Sequence, residues 1–263
     1  MSTHELTDPS LEETGEVVIP GVTPHAIWQE HIERYRFAAA YTTGRAVLDI
    51  ACGTGYGSAH LADTGAKSVT GGDISNRTLA YARRHFLSPR TDFVRIDAAC
   101  FPFDGARFDV IVSFETIEHL RDPGSFVADC SRVLREGGLF VCSTPMRLSY
   151  RPPWFPAPVN PYHTTEYTIG DFCRLLRTSF EDVSLYGQRA FGPATVLRKY
   201  LEASAGRSLS GIPRLKAGLA QIVGLRAEAG ETAGAALSPA VRPLRRPFPG
   251  FPSYLVALAR PRR

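Results

Sequence analysis

Lysine is nearly missing from this chain. Lys67, Lys199 and Lys216 are the only three in 263 residues, so positive charge is carried almost wholly by arginine. Cysteine is sparse as well. Cys52, Cys100, Cys130, Cys142 and Cys173 are odd in number, scattered and never spaced C-x-x-C. That argues against a disulfide framework and a structural zinc site, and for free thiols in a reducing compartment. No apolar run approaches the roughly 18 residues of a membrane span. The opening stretch MSTHELTDPSLEETGE is polar and acidic, with no basic segment leading into an apolar one. No secretory signal is therefore expected, and the expected location is the cytoplasm. There is no internal repeat and no evident RNA-binding module.

What is present suffices for one full-sized core with a small appendage. Hydrophobic residues make up 44% and charged residues 21%, ordinary values for a globular domain. The net charge of +4 is unevenly spread: residues 189–263 carry eleven Arg and two Lys against three Glu, a local +10 that leaves −6 elsewhere. Such a segment suits an anionic substrate, an acidic carrier protein or RNA, or is simply a solvated basic surface.

Strands and helices alternate along the chain. Residues 1–23 read as a loose N-terminus and 24–41 as a helix with Pro24 at its start. AVLDIACGTGYGS combines an apolar strand, a glycine-rich turn and a helix to about Ala62. SVTGGDIS is a second strand ending on an acid, and NRTLAYARRHF a helix with Ser75 or Asn76 as its cap. TDFVRIDAA, FDVIVSFETIEHL, LFVCSTP and EDVSLYGQ read as strands three to six, and PSYLVALARP as a seventh. PGSFVADCSRVLREGG reads as a helix closed by Gly137 and Gly138, and TIGDFCRLLRTSF as another. The expectation is an α/β fold: a doubly wound, Rossmann-like sheet of seven strands, mostly parallel with the last antiparallel. Residues 24–188 are its core, 189–250 an inserted helical lid (or a homodimer surface) and 251–263 the last strand with a basic tail. The lid's helical stretches are ATVLRKYLEAS and PRLKAGLAQIVG.

Doubly wound sheets bind ligands beyond the carboxyl ends of their strands. Three such ends carry acids here: Asp73, Asp97 and Glu115. The first carries Asp49-Ile50-Ala51-Cys52-Gly53-Thr54-Gly55-Tyr56-Gly57. Glycines let the backbone approach a ligand, and the following helix offers free N–H groups. Dinucleotides use a similar turn, and Asp73 stands twenty residues after Gly53, where an NAD ribose acid belongs. An NAD-dependent oxidoreductase is therefore an alternative. Against it, the charge of Asp49 would oppose a pyrophosphate but suits a cationic group, and Asp97 offers an acceptor for an exocyclic amine.

Over roughly residues 28–186 and the strand PSYLVALARP, the sequence resembles the class I S-adenosylmethionine-dependent methyltransferases. VLDIACGTGYG is similar to their motif I. The resemblance implies S-adenosylmethionine as cofactor, with Gly53 and Gly55 lining its methionine part, Ala51 in the same turn and Asp49 beneath. It implies Asp73 on both ribose hydroxyls, Ile74 against adenine, Asp97 accepting from the adenine amine beside Ala98, and Phe114 near the sulfonium. Tyr35, on the N-terminal helix, either closes over the cofactor or packs as a core residue.

A methyl donor of this kind is already electrophilic, so the protein must hold an acceptor in line and remove its proton. Glu115, Glu118 and His119 stand at i, i+3 and i+4 and share a face if the segment is helical. His163, in NPYHTTEYT after the fifth strand, is expected over the same edge. Three outcomes stay open for this set. One is a magnesium or manganese site of Glu115, Glu118, His119 and His163. Another is metal-free catalysis by His119 or His163 with Glu118. The third is a purely structural role. E-x-x-E-H with a later His is similar to two methyltransferase groups that use a divalent ion: the quinone-precursor O-methyltransferases and the small-RNA terminal 2′-O-methyltransferases. Tyr150, Trp154, Phe155, Tyr162 and Tyr167 are candidates to wall an acceptor pocket, or else to tuck against the core. The expected reaction is O-methylation of a small-molecule acceptor, a sugar or phenol of a secondary metabolite. RNA 2′-O-methylation and non-catalytic cofactor binding are the alternatives; nucleic acid is the less favoured partner, and no membrane partner is expected.

Overall fold

The computed structural model describes residues 17–147, 160, 162–191, 240–244 and 251–262. The apolar segment Ala46–Ile50 forms β1, and its successive side chains go to opposite faces. Val47 joins one core cluster, Leu48 and Ile50 the other. The same division runs through β4 (Phe108–Phe114), where Val110 and Val112 oppose Ile111. It recurs in β5 (Leu134–Pro145), where Leu139 and Val141 oppose Phe140 and Cys142. Strands buried on both faces require near-continuous apolar sequence, as these have. Phe126, Phe140, Phe172 and Phe180 are completely buried, each stabilising by roughly 2–3 kcal/mol relative to exposure.

β1 pairs in parallel with β2 (Ser68–Asp73) on one flank and β4 on the other; β2 pairs with β3 (Thr91–Arg95), and β4 with β5, also in parallel. The chain leaves β1 in one direction and returns to its other flank at β4, so strand order reverses beside β1, where sheets of this kind open a crevice. Helix α1 (His25–Ala39) precedes the sheet. Helices α2 (Tyr56–Asp63), α3 (Asn76–Phe86) and α4 (Pro123–Val133) link successive strands, and α5 (Ile169–Leu176) leads into β6 (Phe180–Phe191). Side-chain oxygens of Ser75, Asp122 and Thr168 cap α3, α4 and α5, accepting from the N–H of Thr78, Ser125 and Asp171 at 3.3, 3.0 and 3.2 Å. The last strand, β8 (Phe251–Pro261), runs antiparallel between β5 and β6. The expected doubly wound α/β sheet is thus present, with its antiparallel closing strand.

Three local expectations are corrected. The sheet has eight strands, not seven: β7 (Val241–Pro243) pairs antiparallel with Tyr186–Gln188 of β6 at the sheet's edge. It lies inside the stretch 189–250 that reads as a helical lid, and so does the end of β6. A three-residue edge strand ending in proline has no alternation to read. Residues 192–239 of that stretch, with both helical segments, lie outside the described residues. Helix α4 ends at Val133, not at the glycine pair. Val133 and Leu134 are buried, Leu134 pairs with Phe108, and Gly137 (φ 70°) follows, where the β4–β5 register shifts. Finally, residues 17–23 are not loose. Ile19 is 2% exposed, its N–H donates to Thr23 Oγ1 at 2.8 Å, and the Val18 carbonyl accepts from Thr54 Oγ1 at 2.7 Å. One buried isoleucine anchors an otherwise polar segment. Among the described residues no helix is long and apolar enough to cross a membrane.

Candidate active site

Beyond Ile50 the chain turns sharply, with positive φ at Ala51 (59°), Gly53 (54°) and Gly55 (82°) before α2 begins. At Gly55 space as well as conformation requires glycine, because a Cβ would stand 2.7 Å from Ala82 Cβ and from the Phe93 ring. At Gly53 a Cβ would meet nothing within 4 Å, so that side of the turn is open. Among the described residues the non-glycine positions of positive φ are Ala51 and Glu115, at the carboxyl ends of the paired strands β1 and β4. Backbone strain is thus concentrated at the switch point.

Asp73 ties β2 to this turn. Its Oδ2 accepts from Gly53 N at 2.8 Å, and its Oδ1 from Ser75 N at 2.9 Å and Thr78 Oγ1 at 3.3 Å. The next residue, Ile74, is 55% exposed, an apolar side chain left open beside an anchored carboxylate. Asp97 is exposed just past β3, accepting from Ala99 N at 2.8 Å, with Ala98 half-buried beside it. Asp49 is fully buried and accepts from Ser58 Oγ at 2.6 Å and Tyr35 Oη at 3.2 Å. Burial pushes its carboxyl up to about 7. The bonds from Ser58 and Tyr35 oppose the rise, and the charge of Asp73 adds to it.

For Tyr35 the structure describes the packing alternative. The side chain is buried, edge-on to Phe114 at 5.0 Å and to Tyr56 at 5.5 Å, and a Cβ at Gly57 would collide with its ring. Burial, and then the charge of Asp49, raise its pKa well above the ordinary value. It therefore supports the turn from the core.

At the end of β4 the expected helical face does not form. Glu115 has φ 53°, and only a 3₁₀ turn, Ile117–His119, follows. The Glu115 carboxylate is turned to β5, where it accepts from Ser143 Oγ at 2.6 Å. Glu118, His119 and His163 do converge, with one ligand atom of each within 4.8 Å of the others; Glu115 is not in that group. Backbone groups bind the distant segment to the turn. Thr164 N and Thr165 N donate to the Glu118 carbonyl at 2.7 and 3.0 Å, and Thr164 Oγ1 to the His119 carbonyl at 3.1 Å. His119 Nδ1 lies 3.0 Å from the Tyr162 carbonyl oxygen. The two imidazoles stand 5.0 Å apart and nearly perpendicular, at 82°.

Glu118 is 1% exposed, and neither carboxylate oxygen has a hydrogen-bond partner. Burial first, then the charge of Glu115, raise its pKa well above the usual carboxylate range; the nearby Thr144 hydroxyl opposes this without a hydrogen bond of normal geometry. Tyr167 is buried with an unpartnered hydroxyl, pushed up to about 12 by burial and by the charge of Glu118. Tyr162 is 61% exposed. Tyr150, Trp154 and Phe155 lie outside the described residues. Three supporting residues escape sequence reading. Ser58 under Asp49 had a weak signal, its place in the first turn after the glycines. Ser143 on Glu115 had none, because its partner is 28 residues away, and Asn160, three residues before His163, was passed over as part of the loop.

Residues 48–142 match the family model of the methyltransferase domain. A Mycolicibacterium smegmatis protein named as a probable S-adenosylmethionine-dependent methyltransferase is 40% identical over 171 residues, 65% of this chain and 65% of that one. A ubiquinone biosynthesis O-methyltransferase of Cereibacter sphaeroides is 38% identical over 103 residues, 38% of this chain and 41% of its own. The chain thus spans less than two thirds of the length of these relatives. Among solved structures, the complex of a Haloferax volcanii methyltransferase with the Trm112 activator aligns at TM-score 0.58 and 19% identity, covering 90% of this chain and 92% of that one. The [4+2]-cyclase SpnF aligns at 0.54 and 21%, covering 89% and 83%. These two share the fold under different names, so fold does not dictate the reaction. Residues 48–142 are thus a methyltransferase domain, similar to that of proteins named as S-adenosylmethionine-dependent methyltransferases, and the dinucleotide reading of the glycine turn falls away. The residues fit that cofactor: an open flank at Gly53, an anchored acid at Asp73, an exposed apolar Ile74 and a buried carboxyl at Asp49.

Proposed function

We propose that this protein O-methylates a hydroxyl of a small molecule, with His119 as the base. The observation that carries the reading is the 3.0 Å contact of His119 Nδ1 with the Tyr162 carbonyl. A carbonyl oxygen only accepts, so Nδ1 holds the hydrogen and the neutral ring keeps its lone pair on Nε2. Bound S-adenosylmethionine supplies an electrophilic methyl group. Asp73, Ile74, Asp97 and the Gly53–Gly55 turn orient it, and Asp49 places its carboxyl under the cationic part. Phe114 keeps the end of β4 apolar. His119 Nε2 takes the acceptor's proton. Similarity to a ubiquinone-pathway O-methyltransferase supports a hydroxyl acceptor.

The test is methyl transfer from labelled S-adenosylmethionine to a panel of phenols and sugars, at low and high salt, for wild type and His119→Ala. Salt-insensitive turnover that is lost in His119→Ala supports the reading. Turnover only on RNA, falling steeply with salt, replaces it with 2′-O-methylation.

A further inference from the structure

We infer that Asn160 is the positioning residue that fixes His163 as the Nδ1-protonated tautomer, so that His163 serves neither as a metal ligand nor as a base. Its catalytic meaning rests on the reading of His119 as base. The geometry that assigns it does not.

The backbone N–H of Tyr162 can only donate, and it donates to Asn160 Oδ1 at 3.0 Å. That decides which end of the amide is oxygen. The atom 3.0 Å from His163 Nε2 is therefore the amide nitrogen, Asn160 Nδ2. An NH2 group only donates, so His163 Nε2 accepts, and the hydrogen of the neutral ring sits on Nδ1. The imidazolium form would set N–H against N–H. A metal ligand or a base must present a lone pair. On His163 the Nε2 pair is taken and Nδ1 has none. To coordinate an ion, the Asn160 amide would have to reverse, breaking its bond with Tyr162. The donor set of Glu118, His119 and His163 therefore does not fit a divalent ion.

The surroundings point the same way. His163 Nδ1 is buried without a hydrogen-bond partner, and the Glu166 carboxylate, at 3.9 Å, is too far to accept. The Tyr167 and Thr144 hydroxyls and the two Glu118 oxygens are also buried and unpartnered. A cation site needs converging lone pairs, and with Nδ1 protonated and Nε2 taken by Asn160, His163 brings none.

The test is 15N-histidine NMR of the full chain with S-adenosylhomocysteine and no acceptor, with His163 assigned through His163→Gln. Long-range proton–nitrogen correlations distinguish a protonated ring nitrogen from a bare one. The expected result is His163 protonated on Nδ1 and bare on Nε2. In Asn160→Asp the amide becomes an acceptor, so the hydrogen should move to Nε2 and turnover should fall roughly 10-fold with cofactor affinity unchanged. Trace manganese should not selectively broaden the His119 and His163 signals. A wild-type ring protonated on Nε2, an unmoved hydrogen in Asn160→Asp, or selective broadening would each overturn the inference. If Asn160→Asp does not fold, the wild-type spectrum decides. If the tautomer stands but His119→Ala turns over normally, only the base assignment fails.

Discussion

The cofactor end and the reacting end of this site are held together in different ways. At the cofactor end, Gly53, Ser75 and Thr78 bind Asp73, and Ser58 and Tyr35 bind Asp49, over separations of at most twenty residues. Strands and turns that pack locally fix each group. At the reacting end, His119 meets Tyr162 across 43 residues, Thr164 meets His119 across 45, and Glu115 meets Ser143 across 28. A rigid half that receives one invariant cofactor is thus joined to a half hung on a loop, and loops on rigid scaffolds are where acceptor choice varies.

Substitutions should separate the two halves. The largest effect is expected for Asp73→Ala: cofactor affinity should fall about 10²-fold or more, since charge-assisted hydrogen bonds contribute about 1.5–3 kcal/mol each. Calorimetry that finds unchanged affinity would remove Asp73 from the cofactor site. His119→Ala should give the opposite split, with affinity kept and turnover lowered about 10²-fold or more. Parallel loss of both would mean that the halves are not separable.

A third effect is pH-dependent. The carboxyl of Asp49 sits at about 7 in the folded protein and near 3.8 when unfolded. The folded state therefore binds the extra proton, and this group's contribution is fully present below about pH 4 and lost as pH rises toward 7. Asp49→Asn should be less sensitive than wild type to that rise, read as the difference between their melting temperatures in the absence of cofactor. Identical pH profiles would show that Asp49 ionises as freely in the fold as in the open chain. The smallest effect is expected for Ser75→Ala, which removes the α3 cap behind Asp73. It should cost about 1 kcal/mol in urea unfolding and leave turnover per folded molecule unchanged; a larger loss of cofactor affinity than of stability would make Ser75 part of the site.

Legibility in the sequence followed the same divide. The apolar runs of β1, β4 and β5, the cap of α3 and the glycine turn were all readable, because each rests on neighbours a few residues away. The glycine pair after Val133 misled, because Leu134 is drawn into the sheet by Phe108. The E-x-x-E-H spacing misled in part: positive φ at Glu115 breaks the helical face that would have aligned its side chain with the other two. His163 could be placed only near the right edge, and nothing local distinguishes its role from that of His119.

The sequence by itself determined the class of fold through its βαβ alternation, and the glycine turn and acids at the strand ends. Periodicity and turn chemistry are properties of short segments, and they persist whatever the rest of the chain does. Only the tertiary structure decided that Tyr35 packs beneath Gly57, that Glu115 turns away to Ser143, and that His119 Nδ1 meets the Tyr162 carbonyl. Those depend on one specific partner brought from another segment of the chain, and no spacing along the chain encodes that.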